Sequence, residues 1–153
     1  MVASSGADRG DLVLDLGAGR GALTLPLVER RCRVVAVERH AGRAAGLRAR
    51  APDDVTVLED DLLAVPLPRR PFRVVANPPY AVAAQLVRRI TVRGSRLVRA
   101  DLVLPAWQVR RYLADPPRGF TAAAGLYVPA SAFRPPPRSD SGVLVLRPRG
   151  RVR

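Results

Sequence analysis

Lysine is absent from this chain and cysteine nearly so: all 26 basic residues are arginine, and Cys32 is the single thiol. One cysteine excludes an internal disulfide and any cysteine-based metal cage, and no metal site is expected. Arg31 and Arg33 flank Cys32, but a half-buried thiol at the entry to a strand is the simpler reading. Without lysine there is no catalytic Lys and no Tyr–Lys pair. The lone histidine, His40, reads as a loop residue rather than a ligand or base. Long hydrophobic runs are also missing. None approaches a membrane span, and no charged-then-apolar leader opens the chain, so a cytoplasmic protein with no membrane association is expected.

What is present bounds the rest. With 153 residues, 48% of them hydrophobic, the chain has enough for one domain with a sizeable core and too few for two ordinary ones. A single domain over 1–153 is expected, with 148–153 as a short, basic, disordered tail. The net charge of +13 is unevenly placed: residues 1–61 hold 9 Arg and 10 acids, residues 62–153 hold 17 Arg and 3 acids. An arginine-only composition is what a GC-rich genome produces, but that leaves the sign asymmetry unexplained. A basic half attracts a polyanion, and the guanidinium pairs phosphate in a bidentate fork, so nucleic acid is the expected partner ahead of a merely solvated surface.

The most unusual stretch is Asn77-Pro78-Pro79-Tyr80, at the end of the apolar run Phe72 to Ala76, which reads as a buried strand. Proline removes a donor, fixes φ and pushes the preceding residue into extended geometry. The Asn77 and Pro78 carbonyls are therefore rigid acceptors, with the flat ring of Tyr80 beside them. Such a corner suits a planar amide or aromatic amine, whose N–H groups need acceptors and whose face needs a stacking partner. The plainer alternative is a proline turn that ends a strand, with Tyr80 in the core.

Further motifs fall at strand ends. Asp11 to Leu16 is a short apolar run, followed by Gly17-Ala18-Gly19-Arg20-Gly21 and an apolar-periodic segment from Ala22 to Val28: strand, glycine turn, helix. Such a turn lets backbone approach a ligand closely. It also fits the dinucleotide fingerprint, so a nicotinamide cofactor competes at this point. Val34 to Val37 is a second strand ending at Glu38, an acid placed to accept from ribose hydroxyls, with Arg39 next. A helix over 41–51 and a strand over 55–58 lead to Glu59-Asp60-Asp61-Leu62-Leu63. Here one carboxylate can accept from an adenine amino group while the next N–H meets a ring nitrogen. Asp61 with Leu62 is favoured, because the apolar pattern resumes at Leu62; Asp60 is the near alternative. A helix over 81–90 carries Arg88 and Arg89, and Arg93, Arg96 and Arg99 continue a basic surface. A strand over 102–104, a helix opened by Pro105 and carrying Trp107, Arg110, Arg111 and Tyr112, a strand over 120–128, a loop over 129–140 and a strand over 141–147 complete the reading. Alternating strands and helices imply a mostly parallel sheet wrapped by helices, which binds ligands at the carboxyl ends of its strands.

In this order these residues resemble the rRNA adenine-N6 methyltransferases, both the erythromycin-resistance type and the 16S rRNA dimethyladenosine transferases. Asp15 to Thr24 is similar to their cofactor loop, Val35 to Glu38 to their ribose-binding strand end, Asp61-Leu62-Leu63 to their adenine-contacting turn, and Val74 to Tyr80 to their catalytic motif. Phe133-Arg134-Pro135-Pro136-Pro137-Arg138-Ser139-Asp140-Ser141 resembles their late Phe-x-Pro-x-Pro…Asp-Ser loop, the most family-specific match. Against that pattern, the chain lacks the usual N-terminal Gln-(Asn/His)-Phe-Leu segment and the C-terminal helical domain, and Pro105 and Ala106 stand where Gln and a charged residue are usual.

The resemblance implies a Rossmann-like class I S-adenosylmethionine-dependent methyltransferase: an α/β fold with a mostly parallel seven-stranded sheet and helices on both faces. It implies S-adenosylmethionine as cofactor, held by Asp15, Gly17, Gly19, Gly21, Glu38, Arg39, Asp61, Leu62 and Asn77. It implies a monomer acting on a single-stranded or bulged adenine of ribosomal RNA, most nearly in 23S rRNA with macrolide resistance as the outcome. Asn77, Pro78, Tyr80 and Phe133 would be the catalytic set, the two rings sandwiching an extruded base. Three readings compete: a 16S target, another amine such as a glutamine amide or a DNA adenine, and a catalytically weak rRNA-binding or ribosome-assembly module.

Overall fold

A computed structural model describes residues 1–150. Seven strands form one sheet in the order β3-β2-β1-β4-β5-β7-β6. They are β1 (Leu12–Leu16), β2 (Arg33–Val37), β3 (Thr56–Leu58), β4 (Phe72–Ala76), β5 (Leu97–Pro105), β6 (Phe120–Val128) and β7 (Ser141–Pro148). The first five are parallel, and β7 inserts antiparallel between β5 and β6. Chain order reverses between β1 and β4, so the crevice outside their carboxyl ends is where such a sheet takes a ligand. Helices α1 (Thr24–Glu29), α2 (Ala41–Arg48), α3 (Ala83–Ile90) and α4 (Ala106–Ala114) cover the sheet. None of the described helices is long and apolar enough to cross a membrane.

Local sequence explains these elements. β1 and β4 are almost wholly buried, as expected of parallel strands covered on both faces. α3 buries Ala83, Leu86, Val87 and Ile90, an i, i+3, i+4, i+7 stripe that packs into the main core with Phe72, Leu97 and Leu104. Burying each of the large aliphatic side chains contributes about 1.5–3 kcal/mol. α2 starts at His40, whose ring accepts the Arg43 N–H at 3.4 Å; the lone histidine is a helix cap.

Several expected boundaries shift. The helix foreseen over 81–90 begins as a 3-10 turn, Tyr80–Val82. β7 runs through Pro148, one residue into the expected tail, and 151–153 of that tail lie outside the described residues. The largest correction concerns β5, which starts at Leu97 rather than Leu102. Arg99 is therefore no part of an open basic surface. Its guanidinium forks onto the buried Asp101 carboxylate, both bonds 2.7 Å, and also donates to the Ser4 carbonyl at 2.7 Å. Residues two apart on a strand share a face, and that geometry makes the pair.

The glycine turn after β1 needs its glycines for different reasons. Gly17, Gly19 and Gly21 all have positive φ (87°, 58° and 86°). A Cβ on Gly21 would lie 2.5 Å from the Leu47 side chain of α2, whereas one on Gly19 would meet nothing within 4 Å. Left-handed backbone costs an L-residue about 1–2 kcal/mol, and overpacking a filled site adds about 1–3. Gly21→Ala should therefore lower stability by about 2–5 kcal/mol and Gly19→Ala by about 1–2, measured as urea-unfolding midpoints. Equal losses would mean that the Leu47 contact does not matter.

Candidate functional site

The glycine turn is anchored first. Backbone N–H groups of Gly17 and Ala18 both donate to the Val37 carbonyl at 2.9 Å, tying the end of β1 to the end of β2. Glu38, buried to 6% exposure, holds the next part of the loop. Its Oε2 accepts the Gly19 N–H at 2.8 Å and its Oε1 accepts the His40 N–H at 2.7 Å. The Arg43 guanidinium approaches Oε1 at 3.8 Å. Each carboxylate oxygen keeps a second lone pair for a ligand hydroxyl.

After β3, Asp61 caps a short turn: its Oδ1 accepts the Leu63 N–H at 2.8 Å, and its carbonyl accepts the Ala64 N–H, also at 2.8 Å. Asp60 Oδ1 is taken by the Asp61 N–H at 2.7 Å. The Leu62 N–H makes no hydrogen bond among the described residues. A free N–H beside a carboxylate with one uncommitted oxygen thus falls at Leu62 and Asp61.

At the end of β4 the proline corner turns towards the glycine loop. A Cβ placed on Gly17 would lie 3.8 Å from the Asn77 backbone carbonyl, 3.7 Å from the Pro79 ring and 3.5 Å from Leu62. Gly17, Glu38, Arg39, Asp61, Leu62, Asn77, Pro78, Tyr80 and Phe133 line one cleft of about 430 Å³. Asn77 is exposed to it and Pro78 is buried. The Tyr80 hydroxyl and Ser141 Oγ share a 2.6 Å hydrogen bond that fixes the ring against the start of β7. Phe133 reaches the cleft from the 129–140 loop, where Asp140 holds both ends. Its Oδ1 accepts the Ala130 N–H at 2.8 Å, and its Oδ2 accepts the exposed Tyr127 hydroxyl.

Three predicted ligand-binding positions stand outside that lining. Gly19 serves the Glu38 carboxylate, and Gly21 packs on Leu47. Asp15 is buried within β1 at 1% exposure, its Oδ2 accepting the Thr24 hydroxyl at 2.6 Å while Oδ1 has no partner. Burial pushes its carboxyl up to about 7, against the two Thr24 hydrogen bonds that favour the ionised form; the nearby Glu38 charge adds to the rise. Sequence reading also missed Arg43, Pro135 and Pro137, which line the cleft, and Ser141, which positions Tyr80. Arg43 carries no local signal, being one arginine among many.

The cleft thus joins the Gly17 turn, three acids (Glu38, Asp60, Asp61), two arginines (Arg39, Arg43), the Asn77–Pro78–Pro79 corner and two aromatic rings. Its three acids outnumber its two arginines, and its rings favour a flat ligand. The family described as ribosomal RNA adenine dimethylase matches residues 5–152. A probable ribosomal RNA small subunit methyltransferase A of Halobacterium salinarum is 37% identical, over 95% of this chain and 56% of that protein. The mycinamicin-resistance protein MyrB of Micromonospora griseorubida is 33% identical, over 90% of this chain and 47% of that protein. The chain spans about half the length of these curated relatives. The crystal structure of the 23S rRNA methyltransferase ErmE superposes with a TM-score of 0.88 at 24% identity, over 97% of this chain and 66% of that one. The fold is the Rossmann-like one of S-adenosylmethionine-dependent methyltransferases.

Proposed function

The chain belongs to the ribosomal RNA adenine dimethylase family, and from that premise we propose that it methylates the exocyclic N6 of an adenine in ribosomal RNA, with S-adenosylmethionine as donor. One observation carries the reading: the Asn77–Pro78 corner and the Gly17 turn meet in a single cleft flanked by Tyr80 and Phe133. The residues present fit the donor. Gly17 presents bare backbone at the cleft, Glu38 accepts from ribose hydroxyls, and Asp61 with the Leu62 N–H takes an adenine edge.

When bound, S-adenosylmethionine supplies a methyl group already activated by a cationic sulfur. The protein's own task is to position the other reactant. An adenine amine is a poor nucleophile because its lone pair is delocalised into the ring. The Asn77 side-chain oxygen and the Pro78 carbonyl accept its two N–H groups, favour a pyramidal nitrogen and turn the lone pair towards the glycine turn. This is orientation and electrostatic preorganisation, and it asks no side chain to change protonation state first. Tyr80 and Phe133 hold the base that has left its stack. Arginines of the basic half hold flanking phosphates.

Among ribosomal targets we favour 23S rRNA, as the resemblance to the erythromycin-resistance type implies, and the likeness to the mycinamicin-resistance protein MyrB supports a resistance phenotype. The 37% identity to the Halobacterium protein favours the small subunit as a second reading. Incubation with labelled S-adenosylmethionine and purified 16S and 23S rRNA, followed by mapping of the modified base, decides between them. Label in neither RNA overturns the proposal.

Tyr80 offers a second check. Base–aromatic stacking is worth about 1–3 kcal/mol, so Tyr80→Ala should cut kcat/KM by roughly 5- to 150-fold. Tyr80→Phe keeps the ring and loses only the bond to Ser141, worth about 1 kcal/mol net, so its loss should stay near fivefold. Equal losses in steady-state assays would assign the role to the hydroxyl.

A further inference from the structure

α4 joins two surface features that the cleft leaves unused. At its start, Trp107 is 53% exposed although it is the only tryptophan in the chain. An indole in a core would contribute a large burial term; here half of it faces water. Arg110, exposed, lies three residues on and shares its helix face. This first turn is fastened to the catalytic edge. The Ala106 N–H donates to the Asp140 carbonyl at 3.0 Å, and Pro105 pairs with Ser141, the residue that holds the Tyr80 hydroxyl.

At the other end of α4, by the opposite edge of the sheet, Arg88, Arg111, Arg118 and Arg149 line a pocket of about 510 Å³ with Thr91 and Asp115. Only one acid shares it, and none of the four arginines forms a salt bridge among the described residues. Arg149 is partly committed, donating to the Phe120 carbonyl at 2.9 Å. Arg88 and Arg111 sit in the last turns of α3 and α4, where a cation offsets the helix dipole. That accounts for two of the four. Arg118 and Arg149 come from other segments, and gathering them here costs repulsion unless an anion enters.

Resting on the rRNA reading above, we propose that RNA flanking the target adenine crosses α4, with one base stacked on Trp107 beside Arg110 and a backbone phosphate seated in the Arg88–Arg118 pocket. Nine helical residues span about 14 Å, so both contacts lie on one continuous stretch of strand leaving the cleft. The site is distinct from the base-holding pair Tyr80 and Phe133: it reads neighbours of the target, not the target.

The single tryptophan makes the test direct. The full chain is titrated with adenosine and with a short single-stranded RNA bearing one central adenine, while Trp107 fluorescence is followed. The RNA should quench it, and adenosine, too small to reach α4, should not. Trp107→Ala should weaken RNA binding by about tenfold, the value of one modest stack (about 1.4 kcal/mol). Trp107→Phe, which keeps a ring, should stay within about twofold. The double variant Arg88→Gln/Arg118→Gln should reduce the slope of log affinity against log salt by roughly 0.7, the value of one single-strand phosphate. Calorimetry with S-adenosylmethionine checks that each variant is folded. Bound RNA without quenching, or Trp107→Ala binding as wild type does, overturns the stack. An unchanged salt slope overturns the phosphate seat. Either failure leaves methyl transfer to rRNA intact, whereas failure of the functional reading appears as absent label with RNA binding preserved.

Discussion

Replacing Asn77 with alanine is expected to lower methyl transfer by about 10²–10³-fold while leaving S-adenosylmethionine affinity within about tenfold. The magnitude is that of removing one preorganised hydrogen-bonding group from a site where charge develops. The asymmetry follows from position. Asn77 is exposed in the cleft, and its backbone carbonyl lies 3.8 Å from where a Cβ on Gly17 would sit. Alanine keeps that backbone carbonyl and the proline-restricted geometry, so that side of the cleft survives. What disappears is the side-chain acceptor that, in the proposed mechanism, holds the amine with its lone pair turned towards the donor. Single-turnover rates with rRNA, set beside calorimetric titration of the cofactor, measure the two effects separately. A variant that turns over at near wild-type rate removes Asn77 from the mechanism. A variant that loses cofactor binding and rate together makes Asn77 a cofactor ligand instead.

The parts of this site that could be read from sequence share one property: each is encoded within a few consecutive residues. Gly17 to Gly21, Glu38 after its strand, Asp61-Leu62 and Asn77 to Tyr80 all follow short apolar runs, and a parallel sheet brings its strand ends to one edge. Convergence of Gly17, Glu38, Asp61, Leu62 and the Asn77–Tyr80 corner on one cleft therefore follows from the strand assignments alone. What stayed hidden depends on residues distant in sequence or on context. Tyr80 and Ser141 are 61 positions apart, and neither announces the other. Gly21 carries the same letter as Gly17, yet it faces Leu47 because the turn has rotated away from the cleft. The first half of β5 was obscured by Arg96, Arg99 and Asp101, whose charges suggest surface until the Arg99–Asp101 fork neutralises them within the strand. Arg-rich composition blurred this further. With 26 arginines, the few that hold structure cannot be told by type from those that face solvent.

Asp15 yields the other large effect, on stability rather than rate. Its carboxyl is raised from 3.8 to about 7 in the folded chain, chiefly by burial, with Thr24 opposing and Glu38 adding to the rise. An acid whose folded value is raised holds its proton longer folded than unfolded. Below about pH 4 both states are protonated, and Asp15 leaves stability unchanged. Between about pH 4 and 7 the unfolded chain gives up the proton while the folded one keeps it, so stability falls as pH rises. Above about pH 7 both are ionised, and the cost is constant. At 1.36 kcal/mol per unit that cost is on the order of 4 kcal/mol, a large share of a typical domain's stability. Asp15→Asn cannot ionise and retains an oxygen for the Thr24 hydroxyl. The stability difference between Asp15→Asn and wild type, from urea midpoints, should move in favour of the variant by several kcal/mol between pH 4.5 and pH 8. Using the difference cancels the titration of the other carboxylates. A difference that stays flat over that range would mean the folded chain keeps Asp15 ionised throughout, with its Oδ1 finding a partner.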